Sequence, residues 1–438
     1  MNRLSRRSAA LLTVSALAFG ALAGCASPSG SSGSDDSSLT FLIGNDAGEM
    51  AMAKSEIAAF MAANPDIDIE LQTRPAGSEG DNAVKTKLST GDMADIFTQN
   101  TGSLLQALKP TETLIPIEDT GIEAALTDNF VTAATSGEKL YGVPFGLASG
   151  GGILYNTKVY DKLGLKIPKT WAEFMANNAK IKKEGLAPVI QTYGETWTSQ
   201  VLVLGDYHNV EAADPDFATD YTAGKVKYAT HKAALAGFQH IEDLNKAGYF
   251  NSDYRSATLN DGLKKLAEGK GAHFPMVGAS ASALATVAPG QADDIGMFPV
   301  PGTDAASFGL TTWAPSGLFI PKTVTGAKLA AARKFQAFVA SKEGCEALTK
   351  DVAPTGPYMV NACTLPDDAS RVAKDTESYI TSSKASLALE FSSPVKGPNL
   401  EQICVQVGSG IESAKEGAQD YDKDVRKQAD QLGLNWTS

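Results

Sequence analysis

The order of apolar runs between residues 39 and 97 constrains this chain more than any other feature. Leu39 to Gly44 reads LTFLIG, a continuous apolar run suited to a buried strand of a parallel sheet. The spacing of Met50, Ile57, Phe60 and Met61 predicts a helix from about Gly48. It should stop near Asn64-Pro65, because a residue before proline is pushed out of the helical region. Ile67, Ile69 and Leu71 alternate with polar residues as a second strand. Val84 to Leu88 reads as a short helix closed by Gly91, and Ala94 to Phe97 as a third strand. Strand, helix, strand, helix, strand is the pattern of an α/β sheet with crossover helices. Ligands of such sheets collect beyond the carboxyl ends of the strands. Asn45 and Asp46 follow the first strand, and Gln99 and Asn100 follow the third, so these four are candidate ligand contacts. The same residue types also serve as turns and helix N-caps.

Both the start of the chain and its charge limit where it works. Arg3, Arg6 and Arg7 precede an apolar stretch from Ala9 to Ala23 that ends in Leu22-Ala23-Gly24-Cys25. That is the layout of a secretory signal, too short for a comfortable membrane span. The small residues before Cys25 resemble the lipobox of bacterial lipoproteins, which implies a signal peptide over 1–24 and lipidation at Cys25. Residues 25–38 carry the Gly/Ser/Pro-rich run that suits a flexible tether. Removing residues 1–24 takes the formal charge from −12 to −15, which argues against nucleic acid and against electrostatic capture by anionic lipid. The expected site of action is the outer face of the bacterial cytoplasmic membrane, with the lipid as the only anchor. The roughly 400 residues beyond the tether exceed what one hydrophobic core supports, so two lobes are expected.

A second region adds an ordered series of motifs. Gly142-Val143-Pro144 is followed by Leu154-Tyr155-Asn156 and then by Pro168-Lys169-Thr170-Trp171-Ala172-Glu173-Phe174. Further on come GLKKLAEGKGA (Gly262 to Ala272), IGMFPVPG (Ile295 to Gly302), GLFIP (Gly317 to Pro321) and the helix from Ala327 to Ser341. In this order the motifs resemble family 1 extracellular solute-binding proteins, the sugar-binding group. The resemblance implies an α/β, two-lobe periplasmic-binding-protein-like fold with discontinuous lobes, a hinge, and the ligand in the interlobe cleft. It divides the chain into 39–142 and 301–354 for the first lobe, and 143–300 and 355–438 for the second. Chain crossings are expected near Gly142 to Gly146, Pro299 to Trp313 and Thr355 to Val360.

The same resemblance implies an ABC importer that takes up a carbohydrate, with permease subunits as partners, a monomeric receptor and no cofactor. A sugar site needs flat aromatic platforms and planar polar groups. Trp197 and Glu195 lie in a polar loop where the family places ligand contacts, and Trp313 precedes the strand that returns to the first lobe. Trp171 reads as a packing anchor and Trp436 as a dock for the tail. Around Gly278 and Ser280 the usual tryptophan of relatives is missing, which leaves backbone to line the cleft. Tyr358, with Phe145 and Tyr155, completes the aromatic candidates near crossings. The runner-up ligands are a peptide, a polyamine or a metal chelate.

An enzyme or adhesin has less support. Nucleophile elbows, HExxH helices and P-loops are absent from the sequence, and the four histidines lack ligand spacing, so no catalytic or metal residue is expected. Asp420 to Asp424 alternates acids like the start of a calcium loop but lacks its glycine and terminal glutamate, and reads as a solvated helix face. Among the later cysteines, Cys345 shares a helix face with Phe338 and Leu348 on a helix expected from about Leu329 to Val352, and reads as a buried thiol. Cys363 and Cys404, both assigned to the second lobe, are then the expected disulfide.

Overall fold

A computed structural model of the chain describes residues 38–434 and 436. The expected signal peptide, the lipidation site at Cys25 and all of the tether but Ser38 lie outside the described residues. Strand β1 (Leu39–Gly44) is followed by helix α1 (Ala47–Ala63), β2 (Ile69–Arg74), α2 (Gly77–Thr90), β3 (Ile96–Gln99) and the short α3 (Ser103–Gln106). Leu39, Phe41 and Ile43 are fully buried because β1 is central, paired in parallel with β2 on one side and β3 on the other. α1 begins where Asp46 caps it, accepting from the backbone N–H groups of Gly48 and Glu49. α2 ends at Gly91, whose φ of 74° is the left-handed conformation that glycine adopts without strain. The helix and strand order expected from sequence is present, with α2 and β2 longer than the apolar residues alone marked.

Two sheets organise the described chain. The first runs β2, β1, β3, Ser316–Phe319, Gly142–Phe145, with the last two strands joining antiparallel. The second runs Ala385–Leu387, Leu310–Trp313, Ser149–Asn156, Gly271–Val277, Ala187–Val189, and Ile295–Pro299 also pairs with Ser149–Asn156. Each sheet has its own core. Phe41, Phe60 and Phe335 meet edge-on in the first, whereas Tyr155, Tyr160, Phe174 and Phe298 gather in the second.

Sheet membership shifts the expected lobe boundaries. Val143 to Phe145 pair with Ser316–Leu318 in the first sheet, not the second. Leu310 to Trp313 pair with Ser149–Gly151 and belong to the second. The first two crossings are therefore the short segments 146–148 and 314–315. The third falls later than expected, because Met359 and Val360 still pack in the first core and Val360 bridges Leu126.

This last shift overturns the expected disulfide. Cys363 also packs against the first core and is bonded to Cys345, while Cys404 is a fully buried free thiol of the second core. The helix expected over 329–352 is broken at Ala340–Ser341 into Gly326–Val339 and Lys342–Leu348. Ser341 caps the second piece by accepting from Gly344 N–H, and the break turns Cys345 toward Cys363. No helix among the described residues is long and apolar enough to cross a membrane.

Candidate functional site

Between the two sheets lies a cavity of about 610 Å³, lined from both sides. The first lobe reaches it with the segments that leave its parallel strands at their carboxyl ends. Asn45 and Asp46 follow β1, Arg74 ends β2, and Asn100 follows β3. Asp46 is committed in part to its cap, while Asn100 is exposed to the cavity and accepts from Ser316 Oγ at 3.1 Å.

Gln99, expected as a contact, does not line the cavity. It is buried and works behind the wall: its side-chain oxygen accepts from Arg74 Nη2 at 3.2 Å and its Nε2 donates to Asp81 Oδ1 at 2.7 Å. One amide thereby holds a guanidinium and a carboxylate that both face the cavity. Glu49, in the first turn of α1, also lines it and accepts from Thr98 Oγ1 at 3.0 Å. Burial raises the Glu49 carboxyl above the ordinary carboxylate range, against the opposing pull of that hydrogen bond and of Arg74.

The second lobe supplies the aromatic side. Trp197 sits in a short 3-10 turn (Thr196–Gln200), half-buried, its Nε1 donating to Glu195 Oε2 at 3.4 Å. Glu195 Oε1 in turn accepts from Leu259 N–H at 2.9 Å, so Glu195 orients the indole as well as lining the cavity. Trp313 ends its strand with the indole against Gly151, where a Cβ would stand 2.0 Å from Cζ3. Glycine at that position is what lets the ring lie on the backbone of the neighbouring strand. Its Nε1 donates to Glu390, whose other oxygen pairs with Lys396 Nζ at 2.9 Å. Ser280, Phe145, Glu390, Lys396 and Glu401 complete the parts of the lining that matter here.

Two other expected contacts are displaced. Gly278 is buried, with Val372 and Met297 where a Cβ would go, and lies outside the lining. Tyr358 points into the first lobe, its hydroxyl 2.6 Å from Thr349 Oγ1, because the third crossing lies beyond it. Tyr155 is a core residue, Trp171 stacks on His240 with centroids 3.7 Å apart, and Trp436 is buried with its Nε1 donating to the Tyr221 carbonyl.

Arg74, Glu49, Asp81, Glu390, Lys396 and Glu401 were not among the expected contacts. Arg74 had a signal: Gly44 and Arg74 are register partners at the ends of β1 and β2, so β2 ends beside the same cleft as β1. The acids of the 420–424 stretch also differ from expectation. Asp422 and Asp424 are buried, Asp422 accepting from the N–H groups of Tyr228 and Ala229 and Asp424 from Asn399 N and Nδ2. Asp424 thus braces, from behind, the cavity-lining loop that carries Lys396 to Pro398.

Carboxylates outnumber cations in the lining six to three, so an anionic solute would find little compensation, whereas a neutral solute rich in hydroxyl donors would find acceptors. The lobes also touch within the cavity wall, where Ser78 Oγ on α2 donates to Glu401 Oε1 at 2.6 Å.

Known proteins share this fold. A multiple sugar-binding protein of Streptococcus mutans is 24% identical over 276 residues, covering 60% of this chain and 63% of that protein. The chain thus aligns with a little under two thirds of that relative. A solved chitin oligosaccharide binding protein superposes with a TM-score of 0.77 at 22% identity, covering 90% of this chain and 99% of the other. The solute-binding protein RafE in complex with raffinose gives 0.74 at 17% identity, covering 89% and 99%. Residues 44–344, more than half the chain, match the family described as bacterial extracellular solute-binding protein. On that match the chain belongs to that family.

Proposed function

We propose that this protein captures a neutral carbohydrate of two or three rings in the interlobe cavity and delivers it to the permease of an ABC importer. The observation that carries the reading is the division of labour across the cavity. Two indoles, Trp197 and Trp313, stand on the second lobe, opposite Asn45, Asp46, Arg74 and Asn100 on the first. Sugar rings offer apolar C–H faces to indoles and equatorial hydroxyls to planar polar groups. A volume of about 610 Å³ lies within the roughly 300–1,000 Å³ of small-molecule sites, which favours a short oligosaccharide over a polymer. The sugars named for the relatives support the same class. Binding would favour the arrangement in which both lobes contribute contacts.

In this reading the mature protein is a monomer held outside the cell by lipid on Cys25, with residues 25–38 as tether. Thermal shift against neutral oligosaccharides, di- and tripeptides and polyamines tests the ligand class. A rise in Tm of several degrees with an oligosaccharide, and with no peptide or polyamine, is the expected result. Stabilisation by a peptide or polyamine alone would reject it. For the anchor, Cys25→Ser should move the protein from the membrane to the soluble fraction of its host.

A further inference from the structure

Three glycines of the first lobe stand where its cleft-facing helices begin, each against the second lobe. A Cβ on Gly48, in the first turn of α1, would lie 2.1 Å from Ser282 Oγ and 2.9 Å from Ser282 Cβ. A Cβ on Gly77, at the start of α2, would lie 3.4 Å from both Trp197 Cβ and Glu401 Oε2. A Cβ on Gly102, just before α3, would lie 2.6 Å from the Glu390 carbonyl oxygen. Gly77 and Gly102 have φ of 68° and 65°, so their local backbone already calls for glycine. Gly48 does not. It is helical, and a helix favours alanine over glycine. Within the first lobe the nearest atom to an added Cβ would be the cap oxygen Asp46 Oδ1 at 3.2 Å, a tight contact but a far milder one. The severe contact is with Ser282 of the other lobe, and Gly48 itself does not line the cavity.

We propose that Gly48 is a positioning residue whose missing side chain lets the lobes meet, and that with Gly102 and the Ser78–Glu401 hydrogen bond it forms the seam of the closed state. The proposal rests on the reading that binding closes the lobes. A side chain at position 48 is a wedge: it costs the separated lobes little and penalises chiefly their contact. Apparent affinity then falls in proportion to the population of the closed arrangement.

The test compares wild type with Gly48→Ala and Gly48→Leu. Calorimetric titration with chitotriose, mannobiose and raffinose should show any sugar that binds wild type binding Gly48→Leu at least tenfold more weakly. The unliganded Tm should be unchanged or higher, since the helix gains propensity. In a Ser282→Ala background the loss caused by Gly48→Ala should shrink, which a merely structural role would not produce. Spin-label distances between the lobes should show a short population in the wild type that Gly48→Leu lacks. Equal affinity with equal distance distributions overturns the proposal, as does a drop in unliganded Tm for both variants. If none of the three sugars binds wild type, the distance measurement alone decides the seam, and the thermal-shift panel decides the ligand class.

Discussion

Asp46 has two demands on one carboxylate. Its cap hydrogen bonds to Gly48 and Glu49 N–H, at 2.9 and 3.0 Å, leave one oxygen free at the cavity. Asp46→Ala should therefore lower stability by about 1 kcal/mol, as loss of a cap does, besides weakening sugar binding. Asp46→Asn keeps an acceptor for the cap and should retain most of the stability, which paired melting curves would show. Glu56 makes the opposite case. It is 1% exposed, its Oε2 has no hydrogen-bond partner, and burial pushes its carboxyl well above the ordinary carboxylate range. A raised carboxyl favours the fold below its unfolded value and loses that advantage as pH rises through the folded one. Glu56→Met should thus stabilise by about 1–3 kcal/mol near neutral pH, the cost of an unsatisfied buried group. The gain should shrink toward pH 4, and melting curves across that range would measure it. Some of this was legible in the sequence: Asn45, Asp46 and Asn100 follow from the rule about strand ends. Gln99 does not, because whether a side chain at a strand's last residue faces the cleft or braces the wall depends on pleat and neighbours.

At the scale of elements, the sequence marked strands and helices by apolar period, and it failed where a cap broke the period. Ala340–Ser341 interrupts a run of helical residues with a serine cap, and a helix drawn without that break turns Cys345 to the core alone. The Cys345–Cys363 bond spans 18 residues and ties the Lys342–Leu348 helix to the segment that precedes the third crossing. Closing a loop of that size stabilises by about 3 kcal/mol through the unfolded chain. Cys345→Ala/Cys363→Ala should therefore melt clearly lower than wild type. Among the described cysteines Cys404 is the free one and it is fully buried, so the native protein in a Cys25→Ser form should remain unlabelled by maleimide until unfolded. Fast labelling of one thiol in the native state would contradict the pairing. Glu390, Lys396 and Glu401 escaped sequence reasoning because they reach the cavity only after the third crossing, from the short helix Leu389–Ser392, the loop behind it and the start of the helix Leu400–Gly408, whose apolar period marks the core and not the cleft.

For the whole molecule, the proposed function makes the space between the lobes a carbohydrate site whose apolar side is built from Trp197 and Trp313. Each indole is oriented by an acid, Glu195 for Trp197 and Glu390 for Trp313, so the platforms are fixed before a sugar arrives. Removing a stacking indole from a closed site costs about 2–4 kcal/mol, a loss of roughly 30- to 1,000-fold in affinity. Trp171, packed on His240 and Phe174 away from the cavity, provides the contrast: Trp171→Ala should lower Tm and leave affinity nearly unchanged. The most direct measurement is calorimetric titration of wild type, Trp197→Ala, Trp313→Ala and Trp171→Ala with the oligosaccharide that most raises the wild-type Tm. Both cavity variants should lose at least ~30-fold in affinity while Trp171→Ala binds within about twofold of wild type. Wild-type affinity in both cavity variants would contradict the proposed function.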